Sequence, residues 1–102
     1  MPTNQIIIEY DGTNFVGWQK QKNGDSVQQT IEKILTKILK EKIILYGSGR
    51  TDSGVHATGQ SAHFISKHKI NNKFFFLNSI NFFLKKKKIS ILEKNKKNLN
   101  FH

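Results

Sequence analysis

A glycine-rich segment, Gly47–Gln60, contains the residue types best suited to chemistry. Arg50, the single arginine among seventeen basic residues, stands two positions before Asp52. A carboxylate can act as a nucleophile or a general base. A neighbouring guanidinium can pair with it, lower its pKa and fix its rotamer, which the compact lysine ammonium does less well. The alternative is a tight surface turn with an ordinary ion pair, but four glycines let a large ligand approach the backbone closely and favour a site.

The elements that must position this segment follow the order strand, helix, strand, strand, helix, strand. β-Branched and aromatic runs predict strands over Gln5–Tyr10, Ile43–Tyr46, Gly59–Ser66 and Ile89–Leu92. Helical periodicity predicts one helix that starts at Ser26 and another from Asn71 or Asn72 to about Leu84. This order predicts an α+β, ferredoxin-like β-α-β-β-α-β fold, an antiparallel sheet with two helices on one face. Residues 13–25 are predicted to form a long loop and residues 93–102 a polar tail.

Both predicted helices have an apolar side that should cover the sheet. Ser26 and Gln29 fit a capping box at the start of the first helix. The apolar residues that follow it with helical spacing are Val27, Ile31, Ile34, Leu35, Ile38 and Leu39. The second helix is predicted to bury Phe75, Phe76, Leu77, Ile80, Phe83 and Leu84. Its further aromatic residues, Phe74 and Phe82, exceed what one small sheet can cover.

Composition limits the classes of function. At 102 residues the chain is predicted to be one domain, residues 1–102. The lack of cysteine excludes disulfides and thiolate metal sites, and His56 and His63 without a carboxylate cluster do not indicate a metal site. No apolar run approaches the roughly 20 residues that span a bilayer, so we expect a cytoplasmic protein. A formal net charge of +10 suits nucleic acid as a partner, with lysine-rich genome drift an equally weighted alternative.

The glycine-rich segment closely resembles the signature loop of the TruA family of tRNA pseudouridine synthases. The resemblance covers nearly the whole chain through further motifs, which are Ile8–Thr13 with Phe15 and Gly17-Trp18-Gln19, Ser26-Val27-Gln28, Gly59-Gln60 with His63-Phe64, and Leu77-Asn78. Residues 100–102 are similar to the start of one more family motif. The resemblance implies the family's fold and activity, and it implies the roles of individual residues where they coincide with the family's motifs.

By this resemblance, Asp52 is the catalytic carboxylate of an isomerase that converts uridine to pseudouridine in the anticodon arm of tRNA, without a metal or cofactor. The uridine must leave the base stack, and whether the carboxylate bonds to the base or to the sugar C1′ stays open. Beside the resemblance, we expect contacts to the substrate RNA from Arg50, Lys20, Trp18 and Gln60. Arg50 either fills the space of the flipped base or holds a phosphate while it positions Asp52. Trp18 either stacks on RNA or orders its own loop.

The resemblance is to the N-terminal half of the family's enzymes, whose second domain completes the cleft and is expected to be absent from this chain. Three hypotheses follow. In the first, Asp52 isomerises uridine once the cleft is completed, to which a homodimer could contribute. In the second, the chain is a non-catalytic RNA-binding module of the same fold. In the third, Arg50 and Asp52 are a merely structural pair in an interaction domain that exposes its phenylalanines.

Overall fold

A computed structural model describes residues 3–11, 26–47 and 57–97 of the chain. Within these ranges, a four-stranded antiparallel sheet in the spatial order β2-β3-β1-β4 packs against two α-helices. The elements are β1 (Thr3–Tyr10), α1 (Val27–Leu39), β2 (Tyr46–Gly47), β3 (Ala57–Ile65), α2 (Lys73–Leu84) and β4 (Ile89–Lys97). The predicted α+β, ferredoxin-like fold is confirmed. No helix in the described ranges is long and apolar enough to cross a membrane.

One face of the sheet forms the hydrophobic core with the helices. In β1, the residues at every second position, Ile6, Ile8 and Tyr10, are buried, as the side-chain alternation of a strand requires. Ala62 and Phe64 of β3 are buried on the same face, because Ile6 and Ala62 are register partners. This face of β3 therefore belongs to the core.

The start of α1 is fixed by the predicted cap. The Ser26 hydroxyl accepts a hydrogen bond from the Gln29 backbone N–H at 3.1 Å, which satisfies one of the unpaired donors of the first turn. The apolar stripe then faces the sheet, with Val27, Ile31 and Leu35 buried. The remaining predicted members of the stripe, Ile34, Ile38 and Leu39, are partly buried and pack against the same core.

The prediction of a strand over Ile43–Tyr46 is wrong for most of its length, since only Tyr46–Gly47 pairs with β3. The backbone groups of the preceding residues are bonded to side chains of α1 instead. The buried carboxylate of Glu32 accepts the Leu45 N–H at 2.8 Å, and the Gln28 side-chain amide donates to the Leu45 carbonyl at 2.6 Å. This apolar run is therefore fastened to the helix and not to a neighbouring strand.

The second helix begins with the Asn72 side chain as its cap, accepting the Phe75 N–H at 2.9 Å. Its buried residues are Phe76, Ile80 and Leu84, and Leu77 packs against the core. The predicted burial of Phe75 and Phe83 is wrong, because they are 70% and 40% exposed. An apolar residue occupies so many positions of α2 that the pattern does not determine which side faces the sheet. The expected excess of aromatic residues is confirmed, since Phe74 and Phe82 are also exposed.

The last strand is longer than the sequence predicted. β4 was expected over Ile89–Leu92, yet it continues to Lys97 and pairs with β1 along its whole length. The polar residues 93–97 are therefore not a tail. Backbone hydrogen bonding to the edge of β1 extends the strand without any need for apolar side chains.

Candidate functional site

Both segments that contain predicted site residues join the sheet at one end, which we call the loop end. Residues 12–25 follow β1, and residues 48–56 precede β3. Tyr10 and Ala57 are opposite each other in the antiparallel ladder, and Ile89 lies opposite Tyr10 on the other side. The fold therefore brings the flanks of the two segments together.

Four of the five predicted site residues lie outside the described residues, and these are Trp18, Lys20, Arg50 and Asp52. The fifth, Gln60, lies in β3, three residues after the second segment, and is partly buried. Its register partner is Ile8, whose side chain faces the helices. The described residues therefore form the framework of the site, which consists of the strand ends that flank the two segments. We call these strand ends the frame.

A hydrogen bond between β1 and β3 closes this frame. The Tyr10 hydroxyl donates to the Gln60 side-chain oxygen at 3.0 Å, and Tyr10 is only 3% exposed. Tyr10 thus packs in the core, and its bond to Gln60 was not predicted. The two residues are 50 positions apart, and nothing in either local pattern indicates the partner. Gln60 thus connects the end of one segment to the start of the other.

A bulge lies beside this bond. Gly59 has a φ of 82°, and the β1–β3 register shifts between Ile8 and Glu9. Of the residues that the structure describes, a β-carbon on Gly59 would meet only the Ile7 side chain, at 4.0 Å, so the backbone angle favours glycine at this position. Bulges commonly bend a strand and redirect the residues next to an active site. Here the bulge lies two residues inside β3 from its first residue, Ala57.

The start of β4 is also fixed at the loop end. The Asp11 N–H donates to the Lys88 carbonyl at 3.1 Å. The Asn81 side chain of α2 accepts the Ile91 N–H at 2.7 Å and donates to the Ile91 carbonyl at 3.0 Å. These bonds join β1, α2 and β4 directly below the point where residues 12–25 leave the sheet.

The opposite end of the sheet differs in its electrostatics, and we call it the lysine end after Lys73, Lys94 and Lys96. The pKa of Lys94 is lowered by burial and then by the charges of Lys73 and Lys96. Also at this end, the pKa of Glu41 is lowered, chiefly because its carboxylate accepts the Lys67 N–H at 2.8 Å, with a further contribution from a hydrogen bond to His68. The lysine end therefore concentrates positive charge away from the two segments.

Comparison with known proteins identifies the family. Residues 6–99 match the family model described as tRNA pseudouridine synthase. The chain is 56% identical over 98 residues to the tRNA pseudouridine synthase A of Pelagibacter ubique (strain HTCC1062), covering 96% of this chain and 40% of that protein. It is 43% identical over 99 residues to the enzyme of the same name from Ehrlichia ruminantium (strain Gardel), with coverage of 96% and 40%.

A third relative, the tRNA pseudouridine synthase A of Neorickettsia sennetsu, is 47% identical over 89 residues, covering 87% of this chain and 37% of that protein. The chain thus spans about 40% of the length of the curated relatives it matches. The family match extends from β1 through β4 and includes both segments at the loop end. On this basis, the chain belongs to the tRNA pseudouridine synthase family.

Proposed function

We propose that this chain supplies the catalytic segment of a tRNA pseudouridine synthase, with Asp52 as the catalytic carboxylate and a uridine of the tRNA anticodon arm as the substrate. The observation that carries the proposal is the family match over residues 6–99. It includes Arg50 and Asp52 in a segment whose flanks adjoin β1 and the Tyr10–Gln60 bond. The strands that flank this segment are held by hydrogen bonds, which favours precise positioning of a catalytic carboxylate. An arginine stands two positions before Asp52.

The proposed reaction is an isomerisation, so it needs no co-reactant. The bond between N1 and C1′ breaks, the uracil turns, and a bond forms between C5 and C1′. N1 gains a proton and C5 loses one to water. Asp52 acts in its ionised form, as a nucleophile or as the base that completes the proton transfer. The reacting atoms are inaccessible in a stacked stem, so the uridine must first flip out.

The other predicted site residues have supporting roles in this proposal. Arg50 pairs with Asp52 and occupies the space of the flipped base or holds a phosphate, for which a planar guanidinium is suited. Lys20 neutralises a backbone phosphate, and Trp18 stacks on an exposed base. Gln60, the partner of Tyr10, contributes by holding the end of the segment next to the RNA.

The matched relatives are much longer than this chain, and the chain covers 40% of the first two of them. We propose that the remaining part of such a protein completes the cleft around the uridine. The appropriate test is a chimera in which this chain replaces the matching portion of the Pelagibacter ubique relative. Release of tritium from tRNA labelled at uridine C5 reports the C5–H cleavage.

The chimera is compared with the same protein carrying Asp52→Ala, and with Asp25→Ala, which removes an acidic residue from the other segment. We expect Asp52→Ala to lower the rate by at least about 10²- to 10⁴-fold, the usual contribution of a positioned acid or base. Asp25→Ala should retain most of the activity. Equal rates for the chimera and its Asp52→Ala form would refute the role of Asp52.

The isolated chain is tested in the same assay together with a tRNA-binding measurement. Salt-sensitive tRNA binding by a chimera that folds but releases no tritium would favour the non-catalytic RNA-binding module. An affinity that does not change with salt would exclude both forms of the proposal, because binding by a chain of net charge +10 should depend on phosphate contacts.

A further inference from the structure

The lysine end contains a buried cation with no counter-ion among the described residues. Lys94 is 7% exposed and lies on the helix side of β4, where its register partner is the core residue Ile6. The charges that act on its ammonium are those of Lys73 and Lys96. Burial of a charge is unfavourable unless it is paired, so this arrangement needs an explanation.

The described acidic residues do not provide one. Two of the chain's seven, Asp25 and Asp52, lie outside the described residues. Of the described ones, Glu32 accepts the Leu45 N–H, Asp11 lies beside Lys88 at the loop end, and Glu9 and Glu93 are exposed on β1 and β4. Glu41 is at the lysine end, but its carboxylate accepts the Lys67 N–H and bonds to His68. Among the described residues, no carboxylate contributes to the shift of the Lys94 pKa.

The first turn of α2 adds more positive potential at the same place. Lys73 is the first residue of this 12-residue helix, and its first turn contains no acidic residue. The unpaired N–H groups at a helix start favour an anion and disfavour a cation. Lys73 is itself exposed, but its charge at this position, near the buried Lys94, adds to the unfavourable charge unless an anion is bound.

An unpaired hydrogen-bond donor lies beside the lysines. The side-chain nitrogen of Asn4 is buried and has no hydrogen-bond partner, and Asn4 is 2% exposed. Its register partner in β4 is Lys96, two residues from Lys94 on the same face of the strand. An unpaired amide N–H and three ammonium groups therefore provide donors here. A lysine whose stem merely packs on the core explains the burial of Lys94, but not the clustering of like charges or the unpaired amide.

We propose that Lys73, Lys94, Lys96 and the side-chain amide of Asn4 form a phosphate-binding site. A phosphate group carries negative charge and several acceptor oxygens, which matches three ammonium groups, an amide N–H and a helix N-terminus. β1 runs between the two ends of the sheet, and Asn4 lies six residues before Tyr10, so at about 3.3 Å per residue the site is some 20 Å from the loop end. A phosphodiester of a bound RNA, distant from the reacting uridine, would reach it.

Thermal unfolding in phosphate tests the site itself. The full chain, Lys94→Met and Lys33→Met are compared in phosphate and in chloride at equal ionic strength. Lys33 is an exposed lysine of α1, so its replacement is matched in charge and size. Phosphate also stabilises proteins by general exclusion from their surface. The measured quantity is therefore the difference between proteins in the increase of Tm from chloride to phosphate.

We expect phosphate to raise the Tm of the wild type and of Lys33→Met by more than it raises the Tm of Lys94→Met. We also expect Lys94→Met to have the higher Tm in chloride, since it removes an unpaired buried charge. An equal phosphate increase in all three proteins would overturn the site. This readout requires neither tRNA nor activity, so it is independent of the proposed function.

Binding of tRNA at several salt concentrations tests whether the phosphate belongs to RNA. This second experiment rests on the proposed function. Loss of one phosphate contact should lower the slope of log K against log salt by about one. We expect that change in Lys94→Met and a smaller one in Lys33→Met. Equal slopes, with the phosphate effect on Tm retained, would overturn RNA as the source and leave free phosphate as the ligand. No tRNA binding by any of the proteins would count against the proposed function and not against the site.

Discussion

The two ends of the sheet differ in whether their buried polar groups have partners within the described residues. At the loop end, Tyr10 bonds to Gln60, and Asn81 satisfies both backbone groups of Ile91. At the lysine end, the side-chain nitrogen of Asn4 has no partner, and among the described residues the charges that shift the Lys94 pKa are those of Lys73 and Lys96. Paired groups hold the loop end in one arrangement, whereas the lysine end has an electrostatic cost that an anion would remove. One end is therefore built to position chain segments, and the other to receive a ligand.

The largest stability effect is expected where α2 holds β4 at the loop end. Asn81→Ala removes two hydrogen bonds and leaves the N–H and carbonyl of Ile91 without these partners. We expect a loss of about 2–3 kcal/mol in the free energy of unfolding, measured by urea denaturation. Asn78→Ala is the control, because Asn78 is an exposed residue of the same helix and alanine is the better helix former. Equal losses in the two variants would contradict the idea that the loop end is fastened by these bonds.

A smaller effect is expected from the bulge beside the Tyr10–Gln60 bond. Gly59→Ala forces a β-carbon into the left-handed region, at a cost of about 1–2 kcal/mol in unfolding free energy. Gly47→Ala is the control, since Gly47 is exposed and its φ is not positive. In the active chimera, Gly59→Ala should also lower the rate, because the bulge lies in the strand that follows the segment containing Asp52. A stability loss without any change in rate would mean that the bulge serves folding alone.

How far the sequence predicted the fold depended on where each element finds its partners. The core of β1 and β3 and the caps at Ser26 and Asn72 follow from local patterns, and they are confirmed. The short β2 does not follow from such patterns, because Leu45 bonds to side chains of α1. Nothing in the helical pattern indicates that Glu32 is buried. No propensity scale reveals that a carboxylate 13 positions away will accept a backbone N–H.

The candidate site shows the same limit. The segment around Asp52 was found because its motif is specific, and the family match supports that identification. The frame below it was not predicted, since Tyr10 and Gln60 meet only after β1 and β3 pair. The lysine end was also missed. Residues 93–97 were read as a polar tail, so nothing placed Lys94 against the core.

The smallest expected effect is a pH dependence of folding stability that arises at the lysine end. The Lys94 pKa is lowered from 10.5 by burial and by Lys73 and Lys96. Between its folded pKa and 10.5, the unfolded chain binds more protons than the folded one, so stability rises with pH across this window. At neutral pH, Lys94 therefore destabilises the fold, and the stability advantage of Lys94→Met should shrink as the pH is raised towards 10.5.

Urea denaturation of the wild type, Lys94→Met and Lys33→Met at neutral pH and near pH 10 measures this change, and the other titrating groups largely cancel between variants. An advantage of Lys94→Met that stays constant or grows with pH would show that Lys94 is compensated in the folded chain. In saturating phosphate the advantage at neutral pH should also fall, because a bound anion supplies the counter-charge that the protein itself does not. The loop end has no such dependence on a ligand, since its buried partners are provided by the chain.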